Sequence, residues 1–168
     1  MSSTTTRTTL PTELPPNAGR AATGIAIVLI AGALASLLAQ WGLIPKLSLS
    51  PRQLVVWGSL IAAVGSVVTG FADTAYGLIL GFSLASLGFG LFRPGFTSGA
   101  SLAVGIEQQN AVAGQVTSVN GMAYVLAPGL GLWIYGYGLA LPLLLTALLM
   151  AGLAAWTALS DRPSGPAA

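Results

Sequence analysis

Charge is what this sequence has least of. Lysine, arginine, aspartate and glutamate together make up 6% of its 168 residues, whereas soluble domains carry about 25%. Six cationic and four anionic side chains cannot cover a globule of this size in water, and hydrophobic residues supply 54% of the chain. The composition therefore predicts a protein whose main solvent is lipid.

Cysteine and histidine are absent altogether. Their absence excludes a disulfide framework, the usual zinc sites and an imidazole base, so we expect no metal and no cofactor. The net charge of +2 is too small, and the cations too dispersed, for nucleic-acid binding. The apolar stretches contain no paired carboxylates and no Ser-Lys dyad, so we expect no enzyme activity.

What the chain has in abundance is apolar runs of membrane-spanning length, since about 20 helical residues cross the hydrocarbon core. These runs are too long for barrel strands, so we predict an all-α fold, a polytopic membrane bundle of five transmembrane helices. Polar tails flank it at 1–20 and 161–168, and the first, rich in Thr and Pro, is expected to be disordered. The predicted spans cover about 22–40, 53–71, 76–104, 113–134 and 139–159.

The first span has a competing interpretation as a cleaved signal peptide, because Ala33-Leu34-Ala35 has the small residues of a processing site behind Arg20. We favour a span because this run is only the first of several. An odd number of spans places the two termini on opposite sides of the membrane. The positive-inside rule puts the C-terminus in the cytoplasm, by three cations, Lys46, Arg52 and Arg162, against Arg7 and Arg20.

Small residues at a spacing of four predict close helix crossings, as in Gly77-x-x-x-Gly81 and Gly95-x-x-x-Gly99. We expect packing within the chain rather than a dedicated dimerisation face. The residues assigned to helix kinks or packing are Gly90, Pro94, Gly95, Gly99, Pro128, Gly129 and Gly131.

Two polar stripes at helical spacing indicate a wet cavity between the third and fourth spans. The alternative is that the hydroxyls bond to their own backbone and that Asn120 only ties two helices together. The stripes are Ser83, Ser86, Gly90, Pro94, Thr97 and Ser101 on span three, and Thr117, Asn120, Tyr124, Pro128, Gly131 and Tyr135 on span four.

The position of Arg93 needs an explanation, because a charged side chain at the bilayer centre costs at least about 2.5 to 3.5 kcal/mol. It could line a cavity, extend toward the nearer membrane surface, or bind backbone carbonyls freed at the kink-forming Pro94. We predict that Arg93, Thr97, Asn120 and Tyr124 line a substrate path.

Residues 21–160 resemble the C-terminal half of a major facilitator superfamily transporter of the drug/proton antiporter branch. The resemblance lies in four stretches: a basic loop, a glycine-rich helix with a central proline, a loop and helix with a Pro-Gly-x-Gly element, and a last helix. They are GLIPKLSLSPRQLVVWG (42–58), LASLGFGLFRPGFTSGASLAV (84–104), GIEQQNAVAGQVTSVNGMAYVLAPGLGLWIY (105–135) and LALPLLLTALLMAGLAAW (139–156).

The resemblance implies that the five spans correspond to helices eight to twelve of a twelve-helix transporter in a bacterial inner membrane. It places the loop bearing Gly42, Lys46 and Arg52 in the cytoplasm. The chain departs from the family in that IPKLSLSPR lacks the usual Asp and the first seven helices have no counterpart. The four carboxylates, Glu13, Asp73, Glu107 and Asp161, all lie in tails or loops. A proton site in the full assembly would therefore be contributed by residues outside this chain.

The function implied is a part of a secondary transporter that exports small amphipathic compounds or drugs. Its partners would be the lipid bilayer, an unknown small molecule, and the missing transporter helices or a second copy of the chain. The alternative is a non-transporting protein, either a truncated fragment or a small membrane scaffold.

Overall fold

The computed structural model describes residues 18–160, which are almost entirely helical and contain no β-strand. Connections between the helices are short. The elements are α1 (Ala18–Leu37), a π-helical segment (Leu38–Leu43), α2 (Ile44–Leu47), α3 (Pro51–Gly70), α4 (Ala75–Leu102), a 3-10 turn (Ile106–Gln108), α5 (Gln109–Tyr135) and α6 (Leu141–Leu159).

The first helix is longer at both ends than the predicted span 22–40. It begins at Ala18, so residues 18–20 of the predicted tail are helical, and it continues without interruption through α2 to Leu47. The prediction of a loop from residue 41 was therefore wrong for 41–47. The chain widens into a π-helix before Pro45, and such widening accommodates a residue that lacks an N–H and would crowd the preceding turn. The predicted tails 1–17 and 161–168 lie outside the described residues.

The chain reverses between α2 and α3 at Ser48, whose φ of 45° and ψ of 40° are left-handed. Two residues later Ser50 caps α3 in a reciprocal arrangement. The Gln53 backbone N–H donates to the Ser50 hydroxyl at 3.3 Å, and the Ser50 backbone N–H donates to the Gln53 side-chain oxygen at 3.0 Å. This capping box satisfies two backbone N–H groups that have no acceptor within the helix. Pro51, at the first helical position, has no N–H and therefore needs no acceptor.

Helices α3 and α4 form the centre of the bundle and contact each other backbone to backbone. A Cβ added at Gly58 would lie 2.6 Å from the Phe92 nitrogen, and one at Gly81 would lie 2.6 Å from the Thr69 nitrogen. Gly65 faces the Ala85 backbone, and Gly88 faces the Ala62 backbone, at still closer range. The two antiparallel helices approach this closely because no side chain stands between them.

Helix α1 packs against α4, and α6 packs against α3. Gly32 and Gly90 provide the close contacts between α1 and α4, where a Cβ at Gly90 would lie 3.0 Å from the Ser36 carbonyl oxygen. A small hydrophobic core forms where the π-helical segment, α3 and α4 meet, around Ala39, Leu54 and Leu91. These four helices thus form a row in the order α1, α4, α3, α6.

Helix α5 stands apart from that row. It has only a few contacts, made with α4 and α6, and none of its residues is buried. A Cβ added at Gly114, Gly121, Gly129 or Gly131 would have no neighbouring heavy atom within 4 Å. One long face of α5 is therefore without a partner among residues 18–160.

Four helices are long and apolar enough to cross a membrane, namely Ala18–Leu47, Pro51–Gly70, Ala75–Leu102 and Leu141–Leu159. The predicted fourth span, 113–134, does form a helix, but α5 is not among these four because it is too polar. Its polar side chains include Gln109, Asn110, Gln115, Thr117, Ser118 and Asn120. The last helix, α6, begins at Leu141, two residues later than the predicted start at 139.

Candidate functional site

The guanidinium of Arg93 joins α4 to α5 through the phenol of Tyr124. An Nη2 hydrogen donates to the Tyr124 hydroxyl oxygen, with 2.6 Å between the two heavy atoms. The guanidinium carbon lies 5.8 Å from the ring centroid, close to the outer limit of about 6 Å for a cation–π contact. The hydroxyl is thus the main partner, and it holds the cation beside α5 rather than against the Pro94 kink.

The structure joins two of the four predicted path residues, Arg93 and Tyr124, across the α4–α5 boundary. Arg93 and Thr97 are one turn apart on α4, and Tyr124 and Asn120 are one turn apart on the antiparallel α5. Because the two helices run in opposite directions, the register that pairs Arg93 with Tyr124 sets Thr97 level with Asn120. All four side chains are exposed. The Asn120 amide makes no hydrogen bond within residues 18–160.

Two hydroxyls of the polar stripes bond to the carbonyl one turn earlier in their own helix. Thr97 donates to the Arg93 carbonyl at 2.9 Å and Thr117 to the Ala113 carbonyl at 2.8 Å, and Ser98, beside the α4 stripe, donates to the Pro94 carbonyl at 2.7 Å. This is the alternative that the sequence left open. These hydroxyls therefore donate their protons to the backbone and have none left to donate to a ligand.

The α4 stripe does not line a single cavity. Its first half faces α1, where a Cβ at Gly32 would lie 2.8 Å from the Ser86 hydroxyl and Gly90 meets Ser36. Beside its second half, Arg93 donates to Tyr124 of α5. The stripe is continuous in sequence, but its two halves therefore have different neighbours.

A second cluster of hydroxyls lies in a mainly apolar groove of about 580 Å³ between α1, α3, α4 and α6. The groove was not predicted, because its serines and threonines come from four helices whose adjacency no spacing rule reveals. Thr69 and Thr146 again bond to their own backbones, at 2.8 and 2.9 Å. The hydroxyls that line the groove belong to Ser36, Ser66, Thr69, Ser86 and Thr146.

The predicted kink and packing residues divide into two groups. Gly90 and Gly95 lie in tight helix contacts, and Gly99 is in ordinary contact with Pro51 at 3.6 Å. Pro94 and Pro128 are inside α4 and α5, respectively, where each deprives one carbonyl of its helical donor. Gly129 and Gly131 face open space.

The predicted cytoplasmic loop residues have separate positions. Gly42 is inside the π-helical segment and Lys46 is in α2. Arg52, in the first turn of α3, reaches the end of α6, where its Nε donates to the Thr157 carbonyl at 3.1 Å. Its Nη2 donates to the carbonyls of Ala158 and Ser160, at 3.0 and 3.1 Å. This contact was not predicted.

Arg93 is the only formally charged side chain in a helix interior within residues 18–160. The carboxylates of that range, Asp73 and Glu107, lie in connections at opposite ends of the helices. The remaining cations, Arg20, Lys46 and Arg52, lie within a turn or so of a helix end. The α4–α5 site therefore combines one uncompensated cation with hydroxyl and amide groups on an exposed face.

The chain matches no protein-family model, and no curated protein or solved structure is significantly similar to it. The residues and the geometry described above are therefore the basis for an assignment of function.

Proposed function

We propose that this chain is part of a secondary active transporter of the major facilitator type, which moves small amphipathic compounds across a bacterial inner membrane. Arg93, Thr97, Asn120 and Tyr124 line the path. The observation that carries the proposal is the Arg93–Tyr124 hydrogen bond between α4 and α5, on a face that residues 18–160 leave open.

The cost of placing a cation within the membrane supports a functional role for this pair. A charge in the interior of a membrane helix is expensive, and such residues mark pathways for solutes or ions. Tyr124 alone does not neutralise Arg93. A pathway that admits water or a polar solute would lower this cost, since either one can solvate the guanidinium.

The open face of α5 supports the second part of the proposal, that more helices complete the transporter. In the fold that the sequence resembles, substrate binds between two pseudo-symmetric halves that move against each other. The open side of α4 and α5 would be the boundary with the other half. A proton-coupling carboxylate would also come from those helices, because a guanidinium keeps its proton in proteins.

Transport can be measured in inverted membrane vesicles from cells that produce the full chain in a strain lacking its main efflux pumps. The probes are ethidium, Nile red and anilinonaphthalene sulfonate, which represent cationic, neutral and anionic amphipaths. We expect gradient-dependent accumulation of at least one dye. Arg93→Gln should abolish it, and Arg20→Gln, which removes the same charge from the first turn of α1, should not. Vesicles in which no dye moves faster than in vesicles without the chain would contradict transport.

The path itself can be tested by thiol labelling, because the natural sequence contains no cysteine. Single cysteines at Thr97 and Asn120 should react with a water-soluble methanethiosulfonate in intact membranes. A cysteine at Ala62, which is 0% exposed between α3 and α4, is the matched control and should not react. Equal protection of all three positions would mean that no aqueous path reaches the α4–α5 site.

The alternative function, a membrane scaffold that does not transport, is favoured by one observation. The glycines of α5 have no neighbour among the described residues, so another helix could pack against them. The glycines of α3 and α4 already pack in this way against each other's helix. A scaffold would co-purify with a defined membrane protein, and its association would be weakened by Gly121→Leu but not by Arg93→Gln.

A further inference from the structure

We propose that Arg93 and Tyr124 form a subsite for an oxyanion, such as a carboxylate or phosphate, carried on an apolar body. This inference rests on the proposed function, because it names the substrate class of the same site. It narrows that class from amphipathic compounds in general to anionic ones.

Most of the hydrogen-bonding groups of the pair are donors. A guanidinium has five N–H donors, and one of those of Arg93 is directed to Tyr124. Because the phenol oxygen accepts that bond, the phenol O–H remains available to donate outward. A planar guanidinium matches the two oxygens of a carboxylate or phosphate, so the pair would hold an oxyanion through several charge-assisted hydrogen bonds.

The charges around the pair favour the same ligand. No carboxylate lies in a helix interior within residues 18–160, so no anion of that range compensates Arg93. An anion bound against Arg93 would therefore be attracted by a charge that no carboxylate of that range neutralises. A cationic compound would be repelled by the same guanidinium.

An apolar surface adjoins the subsite. Phe96 lies one turn from Arg93 on α4, is 48% exposed, and stacks on Phe92 with 6.0 Å between the ring centroids. A ligand with its oxyanion at Arg93 could lay an apolar body along these rings. The site thus suits a molecule with a negatively charged head and a hydrophobic tail.

Two sources supply such a molecule, namely a soluble amphipathic acid and an anionic phospholipid of the membrane itself. Both carry an oxyanion on an apolar body, and the subsite would recognise that shared chemistry. Competition experiments separate the two sources.

Binding can be measured on the purified full chain in uncharged maltoside micelles, with dansylaminoundecanoic acid as the fluorescent probe and its methyl ester as the neutral twin. The acid should bind at least about tenfold more tightly than the ester, because a charge-assisted hydrogen bond contributes about 1.5 to 3 kcal/mol. Arg93→Gln should weaken binding of the acid by about tenfold and leave the ester unchanged. Tyr124→Phe should weaken it by about threefold.

Arg20→Gln is the matched control for net charge and should bind the acid like the natural chain. Circular dichroism establishes whether each variant is folded, and if Arg93→Gln is not, Tyr124→Phe and Arg93→Lys provide the same comparison. Displacement of the probe by decanoate identifies a soluble acid as the source, whereas displacement by phosphatidylglycerol alone identifies a lipid. Either result supports an oxyanion subsite.

Equal affinity for acid and ester, or an Arg93→Gln variant that binds the acid as tightly as the natural chain, would overturn the subsite. This assay needs no transport, so its outcome is independent of the vesicle experiment. Selective binding of the acid without movement of any dye would retain the subsite and remove the transport function. Dye transport with equal binding of acid and ester would retain the transport function and remove the oxyanion subsite.

Discussion

Two arginines of this chain have contrasting surroundings that assign them different roles. Arg52 lies at a helix start and donates to three backbone carbonyls of residues 157–160, which a helix end leaves without intrahelical partners. Arg93 lies in a helix interior and donates to a single hydroxyl. A cation whose donors are used on backbone carbonyls is structural, whereas one with unused donors on an open face can bind a ligand.

Replacing Arg52 should therefore loosen the end of α6 without affecting the α4–α5 site. We expect Arg52→Gln to lower the free energy of unfolding by about 1 to 2 kcal/mol, since its hydrogen bonds and its charge both favour the C-terminal end of α6. Arg52→Lys keeps the charge but loses the planar guanidinium, so it should lower the free energy of unfolding by roughly half as much as Arg52→Gln does. Unfolding by dodecyl sulfate in mixed micelles, followed by circular dichroism, measures both, and an unchanged midpoint for Arg52→Gln would contradict the clamp.

Ser59 gives a prediction of the opposite sign. Its side chain is completely buried, and its hydroxyl has no hydrogen-bond partner among the described residues. A buried polar group without a partner costs about 1 to 3 kcal/mol, so Ser59→Ala should stabilise the bundle or leave it unchanged. Ser50→Ala is the contrasting control, because it removes a capping hydroxyl and should cost about 1 kcal/mol. A Ser59→Ala loss as large as that of Ser50→Ala would indicate that the Ser59 hydroxyl has a partner.

Individual residues differed in how far the sequence could place them. Arg93 was predicted for the path because it is a charge within an apolar helix, and Tyr124 because it belongs to the polar stripe of the next span. Their antiparallel helices then bring them level. The clamp by Arg52 was not predicted, because its acceptors are more than 100 residues away and are backbone carbonyls, which have no sequence signature.

At the scale of elements, the glycine spacing that matters in the α3–α4 contact is seven rather than four. Gly58 and Gly65 on α3 face α4, and Gly81, Gly88 and Gly95 on α4 face α3. In the predicted Gly-x-x-x-Gly pairs, the outer members, Gly77 and Gly99, are not in tight contact with another helix. A spacing of seven returns a residue to nearly the same helix face, so two such rows can meet along their whole length.

The α3–α4 contact should be sensitive to a single methyl group. In Gly65→Ala the new Cβ would overlap the Ala85 backbone, and neither helix backbone can move aside cheaply. We expect a loss of about 1 to 3 kcal/mol in the free energy of unfolding. Gly152→Ala is the matched control in α6, where a Cβ has no neighbour within 4 Å, and it should be neutral or stabilise by up to about 1 kcal/mol. Similar stabilities for the two variants would contradict a backbone-to-backbone contact.

Helix ends near prolines were the least predictable elements. The predicted spans place residues 41–52 in a loop, but Pro45 lies early in α2 and the π-helical segment before it keeps the helix continuous to Leu47. The break falls instead at Ser48, a non-glycine residue in a left-handed conformation. Local sequence does not reveal whether a helix widens to accept a proline or ends before it, because packing against α3 and α4 contributes to the choice.

At the scale of the whole molecule, α5 presents a conflict between composition and connectivity. It is too polar to be counted with the four apolar spans. However, α4 ends beside the start of α3, where Gly99 contacts Pro51, and α6 begins beside the end of α3, where Ala140 and Leu143 approach Gly70. The chain must therefore travel the full height of the bundle between α4 and α6, and α5, about 40 Å long, is the element that does so.

We therefore expect α5 to cross the membrane, with its polar stripe covered by water, substrate or further helices rather than by lipid. Single cysteines at Asp73, Glu107 and Tyr137, introduced one at a time, should give the topology in intact cells and inverted vesicles treated with a membrane-impermeant maleimide. Positions 73 and 137 should be labelled from one side, and position 107 from the other. By the positive-inside rule the side of position 107 is cytoplasmic, because Lys46 and Arg52 lie there and Arg20 lies at the opposite end. Labelling of positions 107 and 137 from the same side would mean that α5 lies along the membrane surface, and the path between α4 and α5 would then not exist.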